Sequence, residues 1–335
     1  MANKIKIGIN GFGRIGRCTL SHIAASGRDD IEVVRINATG PIETAAHLIK
    51  YDSVHGRFPN EVKVGNGTLD LGQGPIEVMS TYKMEELNWE GCDVVLECTG
   101  KFNDGKKANV HLERGAKRVL LSAPGKNVDR TIVYGVNDHE LQASDTMISN
   151  GSCTTNCLAP VIDVLHSCFG IEHGSITTIH DITNTQSILD EYHADLRRAR
   201  ASSMSLIPTS TGSATAITEI FPELKGKLNG LAVRVPLANA SLTDCVFELQ
   251  QQVSVEQVNG ALQTAAEGRL KGILGFEERP LVSVDYTNDR RSGIVDGLST
   301  MVINNSQVKL LIWYDNEIGY VNRMMELAGK IARSI

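Results

Sequence analysis

Ile5-Lys6-Ile7-Gly8-Ile9-Asn10-Gly11-Phe12-Gly13-Arg14-Ile15-Gly16 stands near the start of the chain, and its reading decides the fold class. The first six residues are a short apolar run, and Arg17 to Ala25 have helical composition. Ile31-Glu32-Val33-Val34-Arg35-Ile36-Asn37 is rich in β-branched residues, which suit a strand. Strand, glycine turn, helix and strand make one βαβ unit. Further apolar runs follow at Val94-Val95-Leu96, Val119-Leu120-Leu121 and Thr131-Ile132-Val133-Tyr134, and Ala108 to Ala116 reads as helical. Alternation of this kind predicts a parallel doubly wound sheet over about the first 150 residues.

The glycine spacing has a physical meaning in that setting. Gly11 permits a tight turn, Gly13 lets the backbone approach a pyrophosphate, and Gly16 allows helix and strand to pack closely. The helix N-terminus then offers free N–H groups to the anion. The same glycines alone would also fit a packing turn without a ligand. Their place between strand and helix selects the dinucleotide reading. An acid about 20 residues on would bind the adenosine ribose 2′-hydroxyl. Asn37-Ala38-Thr39-Gly40 has no carboxylate there. Ala38 removes the charge that would repel a 2′-phosphate, and Thr39 could donate a hydrogen bond to one, so NAD or NADP is expected, with a lean to NADP.

Ser152-Cys153-Thr154-Thr155-Asn156-Cys157 is the second dense motif. Gly151-Ser152-Cys153 opens an apolar helical stretch through Leu158 to Cys168. A cysteine at a helix start meets the positive end of the dipole, which favours the thiolate. Cys157 lies about one turn further on and reads as a packing residue, the ordinary fate of a free cysteine. His180 follows the strand-like Ser175-Ile176-Thr177-Thr178-Ile179 and fits either a catalytic base or a surface residue. Past the cysteine helix come longer strand candidates: Val233-Arg234-Val235, Leu242 to Leu249 and Val308 to Trp313. They predict a second, α+β domain with an antiparallel or mixed sheet. Asn316 to Ile335 is amphipathic and expected to return to the first domain. The expected layout is a nucleotide-binding domain of residues 1–150 with 316–335 and a catalytic domain of residues 151–315.

Composition narrows the partners. With 335 residues, two domains are favoured. The net charge of −6 gives no global attraction to nucleic acid or anionic membrane, so anion sites must be built locally. No run reaches the ~18 apolar residues of a membrane helix. Met1-Ala2-Asn3-Lys4 runs straight into the first strand, leaving no room for a signal peptide. The seven cysteines lack zinc-type CxxC pairs and read as reduced thiols in a cytoplasmic protein without a metal site.

Several stretches together resemble phosphorylating glyceraldehyde-3-phosphate dehydrogenase of the bacterial type. They are Ile9 to Arg17, Lys50-Tyr51-Asp52-Ser53-Val54-His55-Gly56, Ser152 to Cys157, Asp195 to Arg200, Pro222 to Gly230 and Tyr314-Asp315-Asn316-Glu317. The resemblance implies a homotetramer working in glycolysis or gluconeogenesis, with Cys153 as nucleophile and His180 as base. It implies the substrate phosphate near Thr183 and Arg234, and the attacking inorganic phosphate near Ser152, Thr211, Gly212 and Arg198, with Thr154 beside the nucleophile. Asn316 would hold the nicotinamide carboxamide. Thr99, Phe102, Ser122 and Tyr320 would join Phe12, Arg14 and Ile15 in lining the cofactor. Three departures stand out: Ala38 for the acid, Glu191-Tyr192 for a common Leu-Pro, and His180-Asp181-Ile182-Thr183 without its usual aromatic residue. The last, with Val235 to Ser241, resembles a branch found with arsenic resistance, in which arsenate replaces phosphate. Erythrose-4-phosphate dehydrogenase is the nearest alternative. A semialdehyde dehydrogenase would need a carboxylate pocket, whereas the Arg197-Arg198 pair, Thr211-Gly212 and Arg234 favour two phosphate sites. An RNA-binding role conflicts with the net negative charge.

Overall fold

The computed structural model describes residues 4–334, the side chain of Ala214 excepted. Met1 to Asn3, where the leader question falls, and Ile335 lie outside the described residues. The chain forms two compact units: residues up to Ser152 together with those from Val321 onward, and Cys153–Tyr320.

The first unit is built on β1 (Ile5–Asn10), α1 (Arg14–Ala25) and β2 (Ile31–Asn37). β1 pairs in parallel with β2 on one side and with Val94–Glu97 on the other. A strand in that position is covered on both faces, and Ile7 and Ile9 are fully buried. Each such side chain contributes roughly 1.5–3 kcal/mol. α1 buries Cys18, Leu20 and Ile23, and ends at Ser26 just before Gly27, whose φ of 68° is the left-handed stop that glycine supplies.

The remaining strands of its large sheet are β3 (Lys63–Gly65), β4 (Thr68–Asp70), β5 (Pro75–Met79), β6 (Val94–Glu97), β7 (Arg118–Leu121), β8 (Arg130–Thr131) and β9 (Met147–Ser149). Among the described residues the sheet runs β8-β9-β7-β6-β1-β2-β5-β4-β3. The pairs from β8 through β5 are parallel, as the doubly wound reading expects. The β5–β4–β3 edge is antiparallel and was not anticipated. Asn66-Gly67 makes its hairpin loop, with Gly67 at φ 69°. Two sequence expectations change. The Thr131–Tyr134 run is a strand only at Arg130–Thr131, because the Asn137 side chain binds the Val133 N–H and turns the chain. The Ala108–Ala116 stretch is two short turns, Gly105–Ala108 and Val110–Glu113, the first capped by Asp104.

The second unit opens with α2 (Cys153–Phe169), whose residues Thr154 to Ile162 are all buried. Its strands are β10 (Ile171–His180), β11 (Ile207–Ser210), β12 (Leu228–Arg234), β13 (Ser241–Leu249), β14 (Leu274–Glu277), β15 (Gly293–Asp296), β16 (Met301–Ile303) and β17 (Gln307–Tyr314). The order is β11-β12-β10-β13-β17-β15-β14, with β16 also on β17. β10 runs parallel to β12 and antiparallel to β13, so the sheet is mixed. β13 and β17 alternate buried and half-buried residues, the mark of a sheet with one face on the core. The last helix, Ile318–Arg333, leaves this unit at Tyr320.

Candidate active site

In the second unit, two strand ends and one helix start meet. Cys153 is the first residue of α2 and His180 the last of β10, and the sulfur lies 3.6 Å from His180 Nε2. Tyr314, the last residue of β17, fixes this approach. Its hydroxyl is 2.9 Å from Thr154 Oγ1 on the helix and 2.8 Å from Thr178 Oγ1 on β10. Thr178 and His180 share a strand face, and the Tyr314 ring meets the imidazole edge-on. One buried hydroxyl therefore ties the nucleophile's helix to the base's strand.

His180 Nδ1 is crowded. Asp181 Oδ1 lies at 2.7 Å, the Asp181 carbonyl at 2.9 Å, and Arg234 Nη1 at 2.6 Å. Arg234 is the register partner of His180 across β10 and β12, which explains how residues so far apart in the chain meet. Burial disfavours the charged imidazole, but the Asp181 carboxylate and the Cys153 sulfur outweigh it and lift the His180 pKa to about 9. The Arg234 guanidinium is pushed down, first by burial and also by Arg198. Two cations within electrostatic reach of each other create local positive potential in a chain of net negative charge. Arg234 Nε is buried without a partner.

Arg198 donates from Nε to Thr209 Oγ1 at 2.8 Å and from Nη2 to the Ser210 carbonyl at 3.3 Å. Thr211 and Gly212 follow directly, and the helix Ser213–Ile220 starts there without a side-chain cap. Thr183 bonds Thr185 and Gln186, three residues past His180. The structure thus gathers Cys153, Thr154, His180 and Arg234 at one point and ties Arg198 to the end of the strand that Thr211 and Gly212 follow. Ser152 precedes Cys153 as the last residue of the first unit. Asn316 is buried with Oδ1 unpartnered, and Tyr320 is buried. Asp181, Thr178 and Tyr314 were missed as site residues; Thr178 sits two residues before His180, a spacing that places it on the same face.

In the first unit the glycine turn behaves as its spacing requires. Gly11 has φ 92°, and a Cβ there would stand 2.7 Å from the Thr99 nitrogen. A Cβ on Gly16 would lie 2.2 Å from the Gly11 carbonyl oxygen, whereas Gly13 faces open space. α1 has no acid in its first turn and no side-chain cap, which leaves its positive end to a ligand. Arg14 is held by Asp52 at 2.5 Å, and the Phe12 carbonyl accepts from Arg17. Ile15, Thr99, Phe102 and Ser122 are half-buried, Ala38 is buried and Thr39 exposed. Arg35 binds Glu77 at 2.7 Å and the Asn88 carbonyl at 2.6 Å.

A buried polar network lies beneath this turn. Glu97 accepts from Asn10 Nδ2 at 2.6 Å and from the Thr99 N–H at 2.7 Å, and also from the Thr99 hydroxyl. His111 Nε2 is 2.9 Å from the same carboxylate. Trp89 Nε1 donates to His111 Nδ1 at 3.0 Å, which leaves the ring's proton on Nε2, facing Glu97. Asn37 Nδ2 donates to Asn10 Oδ1 at 2.9 Å and to the Thr81 carbonyl. This chain of bonds braces the ends of β1, β2 and β6 against one another.

Residues 5–105 match the family model described as glyceraldehyde 3-phosphate dehydrogenase, NAD binding domain, and residues 152–316 match its C-terminal domain. Among relatives, glyceraldehyde-3-phosphate dehydrogenase 3 of Nostoc sp. is 54% identical over 99% of both chains. Glyceraldehyde-3-phosphate dehydrogenase of Geobacillus stearothermophilus is 53% identical over 98% of both. The enzyme of that name from Cereibacter sphaeroides is 52% identical, covering 98% of this chain and 99% of its own.

Proposed function

Because the chain belongs to the glyceraldehyde-3-phosphate dehydrogenase family, we propose that it converts D-glyceraldehyde 3-phosphate and inorganic phosphate reversibly to 1,3-bisphosphoglycerate. The observation that carries this reading is the Cys153 sulfur 3.6 Å from His180 Nε2 at the start of a buried helix. The Cys153 thiolate adds to the aldehyde carbon, and His180 Nε2 takes the hydroxyl proton of the thiohemiacetal. A dinucleotide held at the Gly11–Gly16 turn would supply the hydride acceptor, and loss of hydride from the thiohemiacetal carbon would leave a thioester on Cys153. Inorganic phosphate then displaces the sulfur, and Cys153 is regenerated. Arg234 with Thr183 serves the substrate phosphate, and Arg198 with Ser152, Thr211 and Gly212 serves the attacking phosphate; two anions need two donor sets.

The residues present fit a dinucleotide. Gly13 leaves open space where a Cβ would stand, and Asn316 Oδ1 is a buried acceptor without a partner, suited to a carboxamide N–H. The family match supports NAD. NADP acceptance rests on the missing carboxylate at Ala38 and on exposed Thr39. Arg35, engaged by Glu77 and Asn88, lends it no support. A cytoplasmic homotetramer is part of the proposal. Ile188, Leu189, Tyr192, Leu196, Met204 and Leu206 all stand exposed in one segment, as a surface covered by a second copy would.

The test is the initial rate with glyceraldehyde 3-phosphate, using NAD and NADP in parallel, each with phosphate and with arsenate. A phosphate-dependent rate supports the proposal. No activity with either nucleotide overturns the substrate and points to erythrose 4-phosphate.

A further inference from the structure

Asp181 has no part in the reaction steps assigned so far, yet it is buried against the base. It is 1% exposed, and its Oδ1 lies 2.7 Å from His180 Nδ1. The carboxylate is itself aimed: Ser241 Oγ donates to Oδ1 at 3.1 Å and accepts the Asp181 N–H at 3.2 Å. A buried carboxylate needs charged or hydrogen-bonded partners, and beside the Ser241 hydroxyl it has the His180 imidazole at 2.7 Å.

We propose that Asp181 is a positioning residue that holds His180 by Nδ1, making Cys153, His180 and Asp181 one relay. This rests on the reading of Cys153 as nucleophile and His180 as base. The groups facing His180 are Cys153 from α2, Arg234 from β12, the Tyr314 hydroxyl from β17 and Asp181 itself. Arg234 can only donate, so its Nη1 at 2.6 Å and a proton on Nδ1 exclude each other. The Asp181 carboxylate and carbonyl give that proton two acceptors and tip the choice toward Nδ1–H. Nε2 is then the nitrogen left to face sulfur and substrate. When the thiohemiacetal hydroxyl gives its proton to Nε2, Nδ1 keeps its own, and the resulting positive charge is balanced by Asp181. The same contact works against burial to raise the imidazole's pKa.

The test needs no aldehyde, so it fails separately from the dehydrogenase reading. Iodoacetamide alkylation of Cys153 is followed against pH by mass spectrometry of its peptide in the full chain. Asp181→Asn is expected to slow alkylation at pH 6.5 by about tenfold, the equivalent of roughly one pKa unit. In a His180→Asn background the same change is expected to do nothing further. Ser241→Ala, which keeps the charge but removes the hydroxyl that aims it, is expected to move the profile the same way by less, and it decides the matter where Asp181→Asn does not fold. Profiles of Asp181→Asn or Ser241→Ala that overlay the native one overturn the proposal. So does an equal slowing by Asp181→Asn with and without His180.

Discussion

Replacing Glu97 by Gln changes one atom in the network beneath the nucleotide turn and leaves its shape unaltered. Oε2 receives Asn10 Nδ2 and His111 Nε2, and Oε1 receives the Thr99 N–H and hydroxyl. An amide nitrogen in place of Oε2 would face two donors. His111 cannot simply switch tautomer, since Nδ1 is taken by Trp89; Asn10 cannot flip without meeting the Asn37 amide. Placed at Oε1, the nitrogen faces a hydroxyl that can rotate and a backbone N–H that cannot. The better arrangement therefore strands one buried donor and turns the remaining charge-assisted bonds into neutral ones, a loss of about 2–4 kcal/mol. The assay is urea unfolding followed by Trp89 fluorescence in a Trp313→Phe background, since the chain has two tryptophans. NAD titration accompanies it, because Thr99 fills the space where a Cβ on Gly11 would stand, and its displacement should disturb the glycine turn and weaken binding. A loss below about 0.5 kcal/mol would mean that the network is not paired as described, since even one stranded buried donor costs more.

Cys153→Ala should abolish aldehyde oxidation while NAD still binds in a fluorescence titration; retained turnover would remove Cys153 as nucleophile. Arg198→Ala should raise the KM for inorganic phosphate at least about tenfold, as expected from losing a charged hydrogen bond of roughly 1.5–3 kcal/mol, with little change for the aldehyde. Equal rises in both constants would refute the division of anions. The raised pKa of His180 means that the folded unit holds this proton more tightly than the unfolded chain. Its stabilisation is complete below the ordinary value of 6.5 and is lost as pH rises through about 9. Trp313-monitored unfolding should therefore lose up to about 3 kcal/mol over that window in excess of His180→Asn, and parallel curves for the two proteins would contradict it. Ala38→Asp should raise the KM for NADP and leave that for NAD nearly unchanged; an equal effect on both would detach residue 38 from the ribose.

Much of the fold was legible because it is written in short-range patterns. β1, α1 and β2 follow from apolar runs around three glycines, and each glycine's steric setting in the structure is the one its spacing demands. The antiparallel β3–β4–β5 edge escaped because Lys63–Gly65 and Thr68–Asp70 are three residues long, too short to show a period. Thr131–Tyr134 misled for a related reason. Ile132 and Val133 are buried as strand residues would be, but a side-chain bond from Asn137 bends the backbone there.

The site divides along the same line. A cysteine at a helix start and a histidine at a strand end are local facts, and both could be read from the chain. What joins them is not local. Arg234 reaches His180 because β10 and β12 are neighbours in register, a pairing that neither strand's composition expresses. Tyr314 reaches Thr154 and Thr178 from a third strand. Asp181 is the opposite case: it adjoins His180 in sequence, yet a strand sends successive side chains to opposite faces, so adjacency alone argued against contact. The contact exists because β10 ends at His180, and the chain beyond is freed from that alternation. Residues just past a strand end can therefore serve the residue before them, where residues inside the strand cannot.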